Sequence, residues 1–143
     1  MDGDLLSIIH KFKGNMDEVV IKYLVYRILQ GLHFLHEKCI IHRDIKSDNV
    51  LFNIEGDVKL ADFGFAVQLT EQTSRKTEAC GTPAYMAPEA IMKQSYDTGV
   101  DIWSFGILCV EFADGKTPNS DLSGEQAPPR IYERMMTRGA PTF

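Results

Sequence analysis

The sequence predicts a mainly helical α+β lobe that carries one small β-hairpin. Three observations predict it. Ile21, Leu24, Val25, Ile28, Leu32 and Leu35 recur at the three-four spacing that buries one face of a helix. Val100–Ala113 is apolar nearly all round, the mark of a helix enclosed by other elements. Between them, two short strand-like runs flank Glu55-Gly56-Asp57, which reads as a turn.

Taken in order, the chain begins with Asp2-Gly3-Asp4, a turn signal, and a short amphipathic helix marked by Leu5, Leu6, Ile8, Ile9 and Phe12. Asn15-Met16-Asp17-Glu18 fits a capping box, with Asn15 as cap and an acid three positions later. The helix it opens is expected to run to about Lys38. His33 and His36 lie on it without the partners a metal site needs, so both are read as structural. Asn49–Ile54 alternates enough to be a strand, and Val58–Ala61 returns beside it. Gln68–Gly81 is polar and has no apolar period, which predicts a mobile loop. Asp114-Gly115 ends the buried helix, Gly115 being able to take the left-handed cap conformation. Thr117–Pro129 reads as loop, and Ile131–Arg138 as a short helix with Met135 and Met136 on its surface.

Composition bounds the function. The 143 residues suit one domain, able to bury about two-thirds of the unfolded surface. A net charge of −5 offers no basic footprint for nucleic acid or an anionic membrane. Val100–Ala113 is too short to span a bilayer and contains Asp101 and Glu111. Cys39, Cys80 and Cys109 are scattered, with no zinc spacing, which points to reduced thiols in the cytoplasm or nucleus.

The chemistry concentrates in Ile41–Leu51. Ile40 and Ile41 precede, and Val50, Leu51 and Phe52 follow, a polar stretch with Asp44, Lys46 and Asn49 in it. A carboxylate can accept a hydroxyl proton, an amide oxygen can ligate a metal, and an ammonium can neutralise charge on a transferred phosphoryl group. His42-Arg43-Asp44-Ile45-Lys46-Ser47-Asp48-Asn49 resembles the catalytic loop of eukaryotic protein kinases. Three further motifs follow in family order. Asp62-Phe63-Gly64 resembles the metal-binding motif. Ala87-Pro88-Glu89 resembles the close of the activation segment, and Asp101-Ile102-Trp103-Ser104-Phe105-Gly106 the start of the central helix. The resemblance runs from about Met1 to Phe143, as a partial kinase domain reaching from the end of the hinge to the helix after the activation segment.

The resemblance implies a serine/threonine protein kinase that uses ATP and Mg2+ on protein substrates. By it, Asp44 orients the substrate hydroxyl and accepts its proton, and Lys46 neutralises the γ-phosphate. Asn49 and Asp62 hold magnesium, and Leu51 floors the adenine pocket. Phe63 and His42 stack in the internal spine. Thr82, with Lys46, is the Ser/Thr-type pattern. Asp101 accepts hydrogen bonds from the catalytic-loop backbone, although on sequence alone it equally suits an acid favoured by a helix dipole. Glu89 pairs with an arginine beyond Phe143.

Lys59–Gly64 with Phe65, Gln68 and Gly81-Thr82-Pro83 is similar to the PAK-type branch of the sterile-twenty group. That branch implies a small-GTPase partner, bound through regions outside this chain. Two departures stand out. Ala84-Tyr85 replaces the branch's aromatic-Trp pair, and Glu78 occupies the place of its phosphorylated threonine, with Thr77 one position earlier. Either Glu78 acts as a fixed charge toward Arg43, or Thr77 is phosphorylated in a shifted register. Glutamate has one charge against nearly two for phosphate, so any mimicry is expected to be weak.

The Gly-rich loop, strand lysine and helix glutamate of the family's N-terminal lobe do not precede Met1. The expectation is a fragment or truncated reading frame of a longer kinase, with little activity alone. An apolar floor exposed around Leu51 should favour association. A non-catalytic interaction module, binding through the activation segment and Ile131–Arg138, is the alternative of a different class. Intact Asp44, Lys46, Asn49 and Asp62 oppose it. A non-protein kinase of the same fold is a weaker third, because Gly-Thr-Pro and Ala-Pro-Glu shape a peptide site.

Overall fold

The computed structural model describes residues 1–122 and 124–139; the last residues of the expected domain, 140–143, lie outside the described residues. A two-residue strand β1 (Gly3–Asp4) leads into helix α1 (Leu5–Phe12). Asp4, expected in a turn, instead pairs with the hairpin and caps α1: its carboxylate accepts from the Ser7 amide at 2.8 Å and the Ser7 hydroxyl at 2.9 Å. The long helix α2 (Glu18–Glu37) ends where its periodicity predicts. Its cap is Asp17 rather than Asn15, since the Asp17 carboxylate accepts from the Val19 amide at 2.7 Å. Asp17→Ala is therefore expected to cost about 0.5–2 kcal/mol of stability by urea unfolding, against little for Asn15→Ala. Equal losses would restore the capping box.

Strand β2 (Ile40–Ile41) precedes the polar segment from His42, which closes in a one-turn 3-10 helix, Ser47–Asn49. The hairpin is β3 (Val50–Phe52) and β4 (Val58–Leu60), shorter than expected: Asn49 belongs to that 3-10 turn, and Asn53 is bonded into the turn to Asp57. Its register pairs Val50 with Leu60 and Phe52 with Val58, and β1 adds a third antiparallel strand to β3. A second small sheet pairs β2 with β5 (Val67–Gln68). Its strands are too short to leave a period in the sequence.

The irregular stretch after β5 leads to a short helix α3 (Pro88–Ile91), then to α4 (Gly99–Asp114) and α5 (Ala127–Arg138). Gly115 caps α4 at φ 72°, its amide donating to the Glu111 carbonyl. Helix α5 starts four residues before the expected Ile131. Pro128 and Pro129 fill its first turn, where missing amides cost nothing. Arg134 on α5 makes two 2.8 Å bonds to Asp121 and holds that carboxyl at about 2. Met135 is buried and Met136 is exposed.

The main core joins α1, α2, the hairpin and α4 through Leu5, Ile9, Leu24, Ile28, Leu32, Val50, Leu108 and Phe112. Each such side chain, fully buried, contributes roughly 1.5–3 kcal/mol. Ile45 enters this core from the middle of the polar loop, 1% exposed. That anchor fixes the loop against the helices, with Asp44 and Ser47 buried beside it and Asp48 exposed. No helix among the described residues is long and apolar enough to cross a membrane.

Candidate active site

Two segments converge on Asp44: its own loop, through Lys46 and Asn49, and the Gly81–Thr82 turn. Asp44 is 5% exposed. Its Oδ1 accepts from the Thr82 amide at 3.0 Å and the Thr82 hydroxyl at 2.8 Å. The Asn49 amide nitrogen donates to the Asp44 carbonyl and to Oδ2, both at 2.9 Å. Lys46 Nζ lies 3.3 Å from Oδ2 and donates to Thr82 Oγ1 at 3.1 Å. Thr82 thus accepts from the ammonium and donates to the carboxylate, and it sets their spacing.

Gly81 allows this approach. At φ 101° it lies so close to the catalytic loop that a Cβ would sit 2.3 Å from the Arg43 carbonyl oxygen. No other residue fits there without displacing backbone.

Asp101 anchors the loop from α4. It is fully buried, and it accepts from the amides of His42 and Arg43 at 2.9 Å each, and from His36 Nε2 at 2.9 Å. These bonds identify it as the holder of the loop, and its place in the first turn of α4 adds the dipole's support. They also give His36 its structural place. Arg43 is left-handed at φ 68°, a conformation that costs a side-chain-bearing residue about 1–2 kcal/mol. The two bonds to Asp101 hold it there.

Asp62 follows the hairpin, exposed and at φ 58°, its Oδ1 accepting from the Gly64 amide at 3.2 Å. The adjoining Ala61 amide donates to the Asn49 carbonyl at 2.9 Å, which brings the two candidate metal ligands to one edge of the hairpin. His42 and Phe63 are in contact, ring centroids 4.9 Å apart and tilted by 58° rather than stacked face to face. Leu51 is half-buried between Asp4 and Lys59 in the sheet register. A wide opening lies between α2 and β4, about 640 Å³, lined by Phe34, Leu35, Leu60 and Phe63 among others.

The loop after Gln68 is irregular, as expected, yet it is pinned. Lys76 and Tyr96 exchange backbone bonds at 2.8 Å, and Arg75 donates to Ser95. Arg43 approaches Glu78 at 3.4 Å, with Glu78 65% exposed. Its own backbone amide first, then Arg43 and Lys76, hold the Glu78 carboxyl below its usual range. Thr77 is exposed. Tyr96, not flagged by any local sequence signal, is 2% exposed; its hydroxyl donates to the Glu78 carbonyl at 2.7 Å and accepts from Arg43 at 3.3 Å. Burial opposes the Arg43 charge, but the Tyr96 hydrogen bond and neighbouring charges raise its pKa overall. The buried phenol therefore holds this loop more firmly than the exposed carboxylate. Tyr96→Phe is expected to speed exchange of the Lys76 amide about fivefold, and Glu78→Gln less than about twofold. Hydrogen exchange with the opposite ranking would return the role to Glu78. Glu89 is half-buried, with no ion pair among the described residues.

Comparison with known proteins matches the protein kinase domain family to residues 1–139. The serine/threonine-protein kinase SKM1 of Saccharomyces cerevisiae is 50% identical over 103 residues, 72% of this chain and 16% of that protein. The serine/threonine-protein kinase CLA4 of Eremothecium gossypii is 46% identical over 122 residues, covering 81% of this chain and 15% of the relative. The serine/threonine-protein kinase pakC of Dictyostelium discoideum is 43% identical over 140 residues, 97% of this chain and 28% of its own length. The chain thus spans less than a third of each of these curated relatives.

Proposed function

The chain belongs to the protein kinase family, among serine/threonine kinases, and from that premise we propose that it supplies the catalytic lobe of an enzyme that transfers the γ-phosphoryl group of ATP to serine or threonine hydroxyls of proteins. The observation that carries this reading is the buried Asp44, bonded at once to Thr82 and Asn49 with Lys46 3.3 Å away.

Asp44 has an oxygen held by Thr82 and another shared by Asn49 and Lys46. A substrate hydroxyl reaching this carboxylate is oriented, and its proton has an acceptor. Lys46 is near enough to balance negative charge on the group in transfer. Asn49 commits its amide nitrogen to Asp44, which leaves its oxygen for a cation, and Asp62 keeps a carboxylate oxygen beyond the one that accepts from Gly64. Two hard oxygen donors suit Mg2+, which takes its other ligands from water and nucleotide phosphates. Asn49 and Asp62 would hold such an ion, which would supply positive charge where negative charge develops in the transfer.

Arg43, Glu78, Thr77 and Tyr96 belong to the regulation of the same site. The departure at Glu78 supports a loop ordered partly without phosphate, and phosphate mapped onto Thr77 in the active protein would count against it. Little turnover by the 143 residues alone is part of this proposal. So are a cytoplasmic or nuclear location, on the scattered thiols, and a small-GTPase partner, on the branch resemblance.

The first test is the transcript upstream of the Met1 codon, followed by an assay of its product with labelled ATP and a protein substrate. A longer frame with a Gly-rich loop and strand lysine, whose product labels serine or threonine, is the expected result. A transcript that starts at Met1, with no transfer, would move the function to the non-catalytic interaction module.

A further inference from the structure

Helix α5 carries a charge pattern that the fold uses only in part. Arg130, Arg134 and Arg138 recur at every fourth residue, in the row next to the buried Ala127, Ile131 and Met135. With Leu122, Glu133 and Thr137 they line an open groove of about 320 Å³. Arg134 is engaged: it donates to both oxygens of Asp121 at 2.8 Å and to Asn119 Oδ1 at 3.3 Å. Arg138 adds a weaker pull on the Asp121 carboxyl. Arg130 and Arg138 are exposed and make no ion pair among the described residues.

Local helix chemistry opposes this pattern twice. Like charges four residues apart repel on a helix surface, and two such pairs share this row. Arg130 also stands in the first turn of α5, where the dipole favours acids, and that turn has none. The whole chain has 20 acidic residues against 15 lysines and arginines, yet no acid alternates with the arginines in the row. Glu133 lines the groove but forms no ion pair with any of the three. Asp121 relieves the middle arginine alone. The outer two are cations placed against helix preference, and an anion from outside the lobe would relieve both.

Asp121 shows what the row accepts. Its carboxylate meets the Arg134 guanidinium with both oxygens, the two-pronged match of the two groups. Arg130 and Arg138 lie one turn to either side, about 12 Å apart along the axis. An extended chain advances about 3.3 Å per residue, so side chains four positions apart, on one side of it, span about 13 Å. We propose that this row docks an extended acidic segment of a protein partner, with carboxylates four residues apart seated on Arg130 and Arg138 to either side of Asp121. The net charge of −5 repels a polyanion or an anionic bilayer as a whole, whereas a short segment meets the groove alone. Helix α5 packs beside the Pro83–Tyr85 turn, which directly follows Thr82. A segment seated on it therefore holds its protein at the catalytic end of the lobe. The inference goes beyond the catalytic reading and stands whether or not the lobe transfers phosphate.

Its test reads no phosphoryl transfer, so the two ideas fail separately. The full chain is titrated at low ionic strength with a fluorescent peptide that carries two glutamates four residues apart, and anisotropy is followed. The spaced peptide is expected to bind more tightly than one with the two glutamates adjacent. Arg130→Gln and Arg138→Gln are each expected to weaken it about threefold, and about tenfold together. Both side chains are exposed, so the variants keep the fold. Arg130→Glu with Arg138→Glu should instead bind the peptide whose glutamates are replaced by lysines. No anisotropy change, equal binding of the spaced and adjacent peptides, or a double Gln variant that binds like the parent would overturn the proposal. So would a single-stranded oligonucleotide or phosphatidylserine vesicle that binds more tightly than the peptide and is lost in the double variant, which would assign the row to phosphate.

Discussion

Asp44→Asn is expected to lower phosphoryl transfer by the kinase carrying this loop about 10²–10⁴-fold, the usual contribution of a positioned acid–base group. The geometry makes the substitution harsher than a simple loss of charge. In the native site Oδ1 faces two donors on Thr82, while Oδ2 faces the Asn49 amide nitrogen and the Lys46 ammonium. Asparagine has a single oxygen. Turned toward Thr82, it sets its own NH2 against Asn49 and Lys46; turned the other way, it sets that NH2 against the Thr82 amide. One donor faces a donor in either orientation, at a cost of about 1–3 kcal/mol. The check is therefore double: initial rates with ATP and a protein substrate, and urea unfolding of the same variant. A loss of rate far beyond the folded fraction supports the catalytic role. Asp44→Asn that is folded and turns over within a few-fold of the parent would remove Asp44 from the chemistry. Thr82→Ser, which keeps the hydroxyl that bridges Lys46 and Asp44, should retain most of the rate, whereas Thr82→Val should not.

Much of this site was legible before any fold was known, and for a physical reason. Asp44, Lys46 and Asn49 lie within six consecutive residues, so their proximity is local and the motif carries it. The helices were legible because burial on one face imposes a period. Leu24, Ile28, Leu32 and Leu35 are the buried residues of α2, and each lay on the predicted stripe. Asp101 was legible from cost: a charge in an apolar run needs partners, and its partners are the loop amides.

The rest was not legible because its signals are either too short or too far apart. Strands β1, β2 and β5 have two residues each, below the length at which alternation can be seen. The prolines at 128 and 129 suit a turn or the first turn of a helix, and the packing of Ala127 and Ile131 decides for the helix. The Ser47–Tyr85–Glu111 and Arg43–Glu78–Tyr96 clusters bring together residues 18 to 64 positions apart. No window along the chain holds both ends of such a contact. The one trace of the first cluster was a departure, Tyr85 in place of Trp, whose hydroxyl donates to Glu111 on α4.

Asp101→Ala is expected to be the most destabilising single change in the lobe, and the reason is the company its carboxylate keeps. It accepts from two backbone amides, those of His42 and Arg43, and from His36 Nε2, all at 2.9 Å and at a fully buried carboxylate. Alanine leaves both amides without an acceptor, each at about 1–3 kcal/mol, roughly 2–6 kcal/mol together. That is comparable to the whole stability of a small domain, about 5–15 kcal/mol. It also releases Arg43 from its left-handed backbone, and with it the Gly81 approach that sets Thr82 against Asp44. Asp101→Asn should be intermediate. Its lone oxygen serves His42 and His36 or else Arg43, and one amide goes unpaired in either orientation. His36→Ala should be mildest, since both amides keep their acceptor. Urea midpoints ordered Asp101→Ala below Asp101→Asn below His36→Ala are the expected result. Asp101→Ala within about 1 kcal/mol of the parent would mean that the loop is held elsewhere. The burden would then fall on Ile45 in the core and Ser47 on Glu111, the remaining anchors of the same short segment.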